Sequence, residues 1–157
     1  MRHLKLFESF NKLPFTELDS EEVENYLLEK IDKGDIIVRD FEDFPSKKGT
    51  FVSTPTRIFT DYGRIFNLYS DKFNKEIVDK YDIVKMPSVS FIAEVPHPPG
   101  VRGTNLDLDG YTRDILNHYL KRIHDSYDVN IYIQIQNTMY HNDIISRSRI
   151  IITPKSY

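Results

Sequence analysis

The sequence predicts an α+β domain in which a mixed central sheet of four to six strands is covered by helices. Segments with helical spacing of apolar residues and segments with strand-like alternation follow one another along the chain, which is typical of this class. The chain has 157 residues and is 39% hydrophobic, which is enough for one buried core without disulfides or metals. We therefore expect residues 1–157 to form a single domain.

The first well-marked helix begins at Asp19 or Ser20. Glu22 stands three residues after Asp19, so the two can form a capping box that satisfies free backbone N–H groups of the first turn. Gly34 is expected to end this helix. Its predicted buried stripe consists of Val23, Leu27, Leu28 and Ile31.

A second helix is predicted to begin at Asp109 or a neighbouring residue. Its apolar positions follow the helical period and predict the face that packs on the sheet. Two further helices are predicted over residues 70–81 and 4–12, and the latter belongs to an N-terminal docking helix or targeting segment, 1–13. The apolar stripe of the second helix consists of Ile115, Leu116, Tyr119, Leu120 and Ile123.

Strands are predicted where β-branched or alternating apolar residues are bounded by turn residues. The segments are 35–41, 88–95, 129–137 and 147–154, with a hairpin over 56–69 around Gly63 and a turn near 141–143. Within 88–95 the apolar residues occupy every second position, which predicts a strand that buries one face only.

The composition excludes several classes of site. The chain has no cysteine, so any metal ligand must be an oxygen or an imidazole nitrogen. Its net charge of −3 argues against non-specific binding to nucleic acid, which depends on many lysines and arginines. It has no apolar run of membrane-spanning length, no secretion signal and no glycine-rich phosphate loop. We expect a cytoplasmic protein without a membrane partner or a nucleotide cofactor.

The histidines in the second half of the chain show no spacing typical of metal ligands. We therefore predict that each lies on the surface or has its hydrogen bonds satisfied inside the protein. These residues are His97, His118, His124 and His141. Only His141 has an acidic residue of interest close by, since Asp143 follows two residues later.

The clearest candidate for chemistry is the acidic loop, Asn105-Leu106-Asp107-Leu108-Asp109-Gly110. In an extended backbone Asp107 and Asp109 point to the same side and can share one Mg²⁺ ion. Carboxylates that hold Mg²⁺ beside a cation suit phosphodiester chemistry, which predicts a phosphate backbone as the substrate. The helix that follows carries a polar stripe with a spacing of four, formed by Asp109, Arg113, Asn117 and Lys121.

Two other interpretations of this loop stay open. An aspartate at a helix start is also a common N-terminal cap, in which case Asp109 has only a structural role. The pattern Asn105-x-Asp107-x-Asp109-Gly110 also matches the opening of a calcium-binding EF-hand loop. The twelfth place of such a loop should supply a bidentate glutamate, but it is Leu116 here, so calcium is the less favoured ion.

A strand at residues 89–96, a loop with proline and arginine, and Asp107-Leu108-Asp109 at a helix start follow one another in the chain. This arrangement resembles the RusA-type Holliday junction resolvases, in which a strand feeds a basic loop and an acidic motif that opens a helix. Residues 59–71 also resemble the family's glycine- and arginine-containing stretch. Residues 140–145 resemble the place of the family's third acidic ligand.

The resemblance implies a homodimer that cleaves branched DNA in a Mg²⁺-dependent reaction. Glu94 is an alternative to Asp143 as the third ligand. Arg113 falls where the family has a functional lysine, four residues beyond the second aspartate, and would stabilise charge on the phosphate. The metal ligands implied are Asp107, Asp109 and Asp143. The residues that would follow the DNA backbone are Arg102, Lys121 and Arg122.

The first ten residues look like the N-termini of many proteins of large tailed phages. There such a segment can direct a protein into the head and is clipped after a sequence such as Leu6-Phe7-Glu8. The same residues have the apolar spacing of a docking helix. The alternative function is therefore a non-catalytic phage protein, packaged in the head or acting on host partners, whose acidic loop only caps a helix.

Overall fold

The computed structural model describes residues 12–32, 34–45, 65–70, 86–97, 108–140 and 143–155. Nearly all of the predicted helices at 4–12 and 70–81, and most of the predicted hairpin at 56–69, lie outside these residues. A short 3₁₀ turn, Phe15–Glu17, precedes the first helix. The elements are α1 (Ser20–Lys30), β1 (Ile37–Phe44), β2 (Ile65–Asn67), β3 (Ser88–Pro96), α2 (Leu108–Ser126), β4 (Val129–Tyr140) and β5 (Asp143–Pro154).

The five strands form one sheet in the order β1-β3-β5-β4-β2, and every neighbouring pair is antiparallel. The α+β class and the predicted number of strands are confirmed. The hairpin of β4 and β5 is paired from Val129 and Pro154 to Tyr140 and Asp143, so the chain reverses where the turn was predicted. Among the described strands, β3, β5 and β4 are inner strands, and β1 and β2 are the edges.

Helix α1 begins as the capping box predicts. The Asp19 carboxylate accepts a hydrogen bond from the backbone N–H of Glu22 at 2.8 Å. The helix ends at Lys30, before Gly34, whose φ of 99° belongs to the turn that leads into β1. The predicted stripe is wrong at Leu28, which is 59% exposed, whereas Leu27 is 1% exposed. Because α1 packs on the edge strand β1, only a narrow stripe of the helix is covered.

Helix α2 packs on β4 and β5 through the predicted face. Leu116, Leu120 and Ile123 are buried, while Ile115 and Tyr119 lie at the border of the core. The hydrophobic core also contains the side chains of the inner strands that point toward the helices. These strand residues are Val89, Phe91, Ala93, Val95, Val129, Ile131, Ile133, Ile135, Ile150 and Ile152.

The opposite face of the sheet is buried as well. The sequence predicts one buried face for β3, but Ser88, Ser90 and Ile92 are buried together with their odd-numbered neighbours. The prediction of a single buried face is therefore wrong for β3, whose neighbours β1 and β5 leave its small side chains on this face little access to solvent. No helix among the described residues is long and apolar enough to cross a membrane.

We expect the two adjacent leucines of α1 to differ sharply in their effect on stability. Leu27→Ala should lower the free energy of unfolding by about 3 kcal/mol, since it leaves a cavity in the core. Leu28→Ala should change it by less than about 0.5 kcal/mol, since that side chain is exposed. Urea unfolding of both variants measures the difference, and similar losses would contradict the packing of α1 described here.

Candidate functional site

His97 connects three elements at one end of the sheet. It directly follows β3, is 8% exposed, and its Nε2 is hydrogen-bonded to the Ser146 hydroxyl of β5 at 2.5 Å. The Thr112 hydroxyl of α2 lies 3.5 Å from the same nitrogen. The Tyr111 ring packs against the imidazole with 4.8 Å between the ring centroids. His97 therefore holds the first turns of α2 against β3 and β5.

The sequence prediction for His97 is correct for one of its nitrogens only. Nε2 is satisfied, but Nδ1 is buried and has no hydrogen-bond partner among the described residues. The partner of Nε2 has a trace in the sequence, because Ser146 and Ser148 stand at every second position in line with Ile150. This alternation places two hydroxyls on a buried face of β5. Both serines are fully buried.

The pair formed by Ser146 and His97 is not a nucleophile with its base. A serine nucleophile must be reached by the substrate, whereas Ser146 is fully buried. In a catalytic triad a carboxylate orients the second imidazole nitrogen, and Nδ1 of His97 lacks such a partner within the described part of the chain. The serine hydroxyl instead serves as a buried anchor for the imidazole.

Burial lowers the pKa of His97 from its ordinary value, because the uncharged imidazole is favoured away from water. The Asp109 carboxylate has the opposite effect and raises it. Asp109 is in the first turn of α2, where the helix dipole stabilises a negative charge.

Arg113 lies one turn after Asp109 and is half-buried. Its guanidinium donates a hydrogen bond to the Ser70 carbonyl oxygen at 3.1 Å. One turn further on, the Asn117 carbonyl accepts a hydrogen bond from the Tyr69 hydroxyl at 3.0 Å, and the Tyr69 ring stacks on His124. The polar stripe of α2 is thus partly covered by the segment that follows β2.

Lys121 and Arg122 lie at the other end of α2. Lys121 is exposed and forms an ion pair with Asp125 at 3.7 Å. The Arg122 guanidinium lies over the Tyr26 ring of α1, 5.8 Å from its centroid. Nine residues separate Arg113 from Arg122, which corresponds to two and a half helical turns, so these arginines project from opposite flanks of α2.

Glu94 does not join Asp109. Its neighbours Ala93 and Val95 face the helices, so Glu94 lies on the other side of the sheet. There its carboxylate forms an ion pair with Arg39 of β1 at 3.0 Å. Glu94 is therefore not available as the third ligand that the resemblance allowed as an alternative.

The remaining predicted site residues are described only in part. Asp107, Arg102 and His141 lie outside the described residues, and Asp143 is described as the first residue of β5, paired with Tyr140. Two residues later, Ile145 pairs with Pro96 at the end of β3. Asp143 thus begins β5 at the same end of the sheet as His97 and the start of α2. No cluster of three potential metal ligands occurs among the side chains that the structure describes.

Comparisons of this chain with protein-family models, curated proteins and solved structures found no match. A functional proposal therefore depends on the geometry at this end of the sheet and on the resemblance of the acidic motif. The geometry adds His97 to the candidate site, although the sequence predicts this residue to lie on the surface or to be satisfied inside the protein. It removes Glu94 from the candidate metal ligands.

We expect the protein to lose stability as the pH falls below about 6.5. Because the pKa of folded His97 is lowered, the unfolded chain binds more protons in this range, and the free energy of unfolding decreases on acidification. Burial also lowers the pKa of His124, so His97→Gln should remove only part of the pH dependence. Urea unfolding at several pH values measures the slope, and a slope unchanged by the substitution would contradict the role of His97.

Proposed function

We propose that this chain is a Mg²⁺-dependent, structure-selective endonuclease that cleaves branched DNA. It would act as a homodimer in the cytoplasm, which is the host cytoplasm if the chain is phage-encoded. The observation that supports this proposal best is that the start of α2 and the start of β5 meet at one end of the sheet. The resemblance to RusA-type resolvases supplies the reaction class.

Asp109 and Asp143 each lie close in sequence to a residue that contacts His97. Asp109 precedes Thr112 by three residues and Asp143 precedes Ser146 by three, and both Thr112 and Ser146 contact His97. Three residues span less than one helical turn, or about 10 Å of extended strand. The backbone of Asp109 and that of Asp143 therefore each lie within about 10 Å of a residue that contacts His97. Asp107 is two residues from Asp109.

The carboxylates of Asp107, Asp109 and Asp143 would hold the metal. This donor set consists of oxygen atoms alone, as Mg²⁺ prefers. Bound there, Mg²⁺ would supply Lewis-acid stabilisation of the phosphate. Arg113 would neutralise charge on the phosphate oxygens, and its hydrogen bond to the Ser70 carbonyl orients the guanidinium before substrate binds.

The competing function is a non-catalytic phage protein. The position of Asp109 in the first turn of α2 also fits this function, because a carboxylate there stabilises the helix without any metal. In that case the chain should be found in purified virions, clipped after Glu8. Mass spectrometry of particles tests this, and absence of the chain from them would count against packaging.

We expect cleavage of a four-way DNA junction that requires Mg²⁺ and the acidic motif. The double substitution Asp107→Asn, Asp109→Asn should lower the cleavage rate about 100-fold or more. Asp114→Asn is the control, since it removes one negative charge from an exposed position of the helix that carries Asp109. If the unaltered chain does not cleave, or if the double variant cleaves as fast, the nuclease function is wrong.

We expect the basic residues of α2 to separate into two roles. Arg113→Ala should slow cleavage at saturating DNA about 100-fold, because a group that stabilises the transition state is lost. The double substitution Lys121→Ala, Arg122→Ala should weaken binding and lower the salt dependence by about two charges. Single-turnover cleavage and binding at several salt concentrations measure the two effects. Equal effects of both variants on the cleavage step would rule out this division.

A further inference from the structure

A pocket of about 390 Å³ lies beside His97, between α2 and the segment that precedes β1. One wall is a stripe of α2 with a spacing of four, Tyr111, Ile115 and Tyr119. The other walls include His97 and Asp35. The volume lies within the range of about 300–1,000 Å³ that is usual for small-molecule sites.

The polar groups of the pocket are few and specific. The Tyr119 hydroxyl donates a hydrogen bond to Asp35 Oδ2 at 2.6 Å. This bond, with smaller contributions from burial and nearby charge, raises the pKa of Tyr119 to about 12, so the hydroxyl stays a donor. A carboxylate accepts several hydrogen bonds, so Asp35 keeps acceptor capacity for a ligand. His97 also lines the pocket, and its Nδ1 is buried.

These groups exclude several kinds of ligand. The residues that line the pocket include a carboxylate but no lysine or arginine, which disfavours phosphates and carboxylates. A purely aliphatic ligand would remove water from the Asp35 carboxylate without offering it a hydrogen bond. A flat heterocycle with an amino group satisfies both requirements, because its ring packs on tyrosine and its N–H groups donate to the carboxylate.

We propose that this pocket binds a nucleobase with an exocyclic amino group. The base packs along Tyr111 and Tyr119 and donates from its amino group to Asp35. The inference rests on the proposed function for the source of the base, which is an unpaired nucleotide at the branch of the DNA. The pocket borders His97, so a base held there lies at the same end of the sheet as Asp109 and the start of β5.

The test uses the full chain and a branched DNA that carries 2-aminopurine at the branch, in EDTA so that no cleavage occurs. Stacking in the pocket should change the fluorescence of the probe. Asp35→Asn should weaken this binding about tenfold, because the carboxylate acceptor is replaced by an amide that also carries donors. Tyr111→Leu should weaken it as well, because a stacking ring is lost.

Phe41→Leu is the matched control, since this ring lies on β1, stacks on Phe91 and does not line the pocket. It should leave the fluorescence titration unchanged within about twofold. The base pocket is overturned by a titration that all three variants alter equally, or by an absence of binding to both the DNA probe and adenosine monophosphate. Circular dichroism of each variant identifies any general loss of folding, and Asp35→Asn, at an exposed position, keeps the test decisive.

Adenosine monophosphate forms a second arm of the experiment. If it binds with the same dependence on Asp35 while the DNA probe does not, the base pocket stands and its source in branched DNA is wrong. Cleavage is scored separately in Mg²⁺ with unlabelled DNA. A probe signal that depends on the pocket, in a chain that does not cleave, would support base recognition and rule out the nuclease function. Cleavage without such a signal would support the nuclease function and rule out base recognition.

Discussion

The burial of β3 on both faces is the constraint on which the arrangement of polar groups depends. Phe91 and Ala93 pack under the helices, while Ser90 and Ile92 are buried on the other side. A charged or polar side chain on such a strand needs a partner, because burial removes its hydration. Glu94 obtains one from Arg39 on the edge strand, through charge-assisted hydrogen bonds.

His97 meets the same constraint where β3 ends. Its partner Ser146 is 49 residues away in the chain, and the contact joins the inner strands β3 and β5 to the start of α2. Whichever tautomer the ring adopts, one nitrogen remains buried without a described partner. An unsatisfied group of this kind costs about 1–3 kcal/mol, and a bound water or ion commonly accounts for such a group in native proteins.

Helix α2 separates two chemically different surfaces that share one end. One flank carries Asp109 and Arg113 and packs toward Ser70, while another carries Tyr111 and Tyr119 and faces Asp35. A phosphate and a base of one nucleotide have these same contrasting requirements, a cation with metal-binding acids for one and aromatic rings with acceptors for the other. The docking of the first turns of α2 on His97 sets the spacing between the two surfaces.

The features that depend on neighbouring residues could be predicted from the amino-acid sequence. The capping box of Asp19 and Glu22, the packing face of α2 and the β4–β5 hairpin follow from periodicities of 3.6 and 2 residues and from turn residues. The acidic motif and its place at the start of α2 were also readable. Each of these is a local property, because a cap or an amphipathic face involves residues within a few positions of one another.

Which strands are inner and which surfaces are covered depends instead on the tertiary fold. The alternation in β3 is the same for an edge strand and an inner one, so its second buried face could not be predicted, and the exposure of Leu28 depends on how α1 meets the edge strand β1. The contact of His97 with Ser146 and the ion pair of Glu94 with Arg39 depend on strand order and register. These pairings join residues far apart in the chain, and their free energy is realised only when the whole sheet has formed.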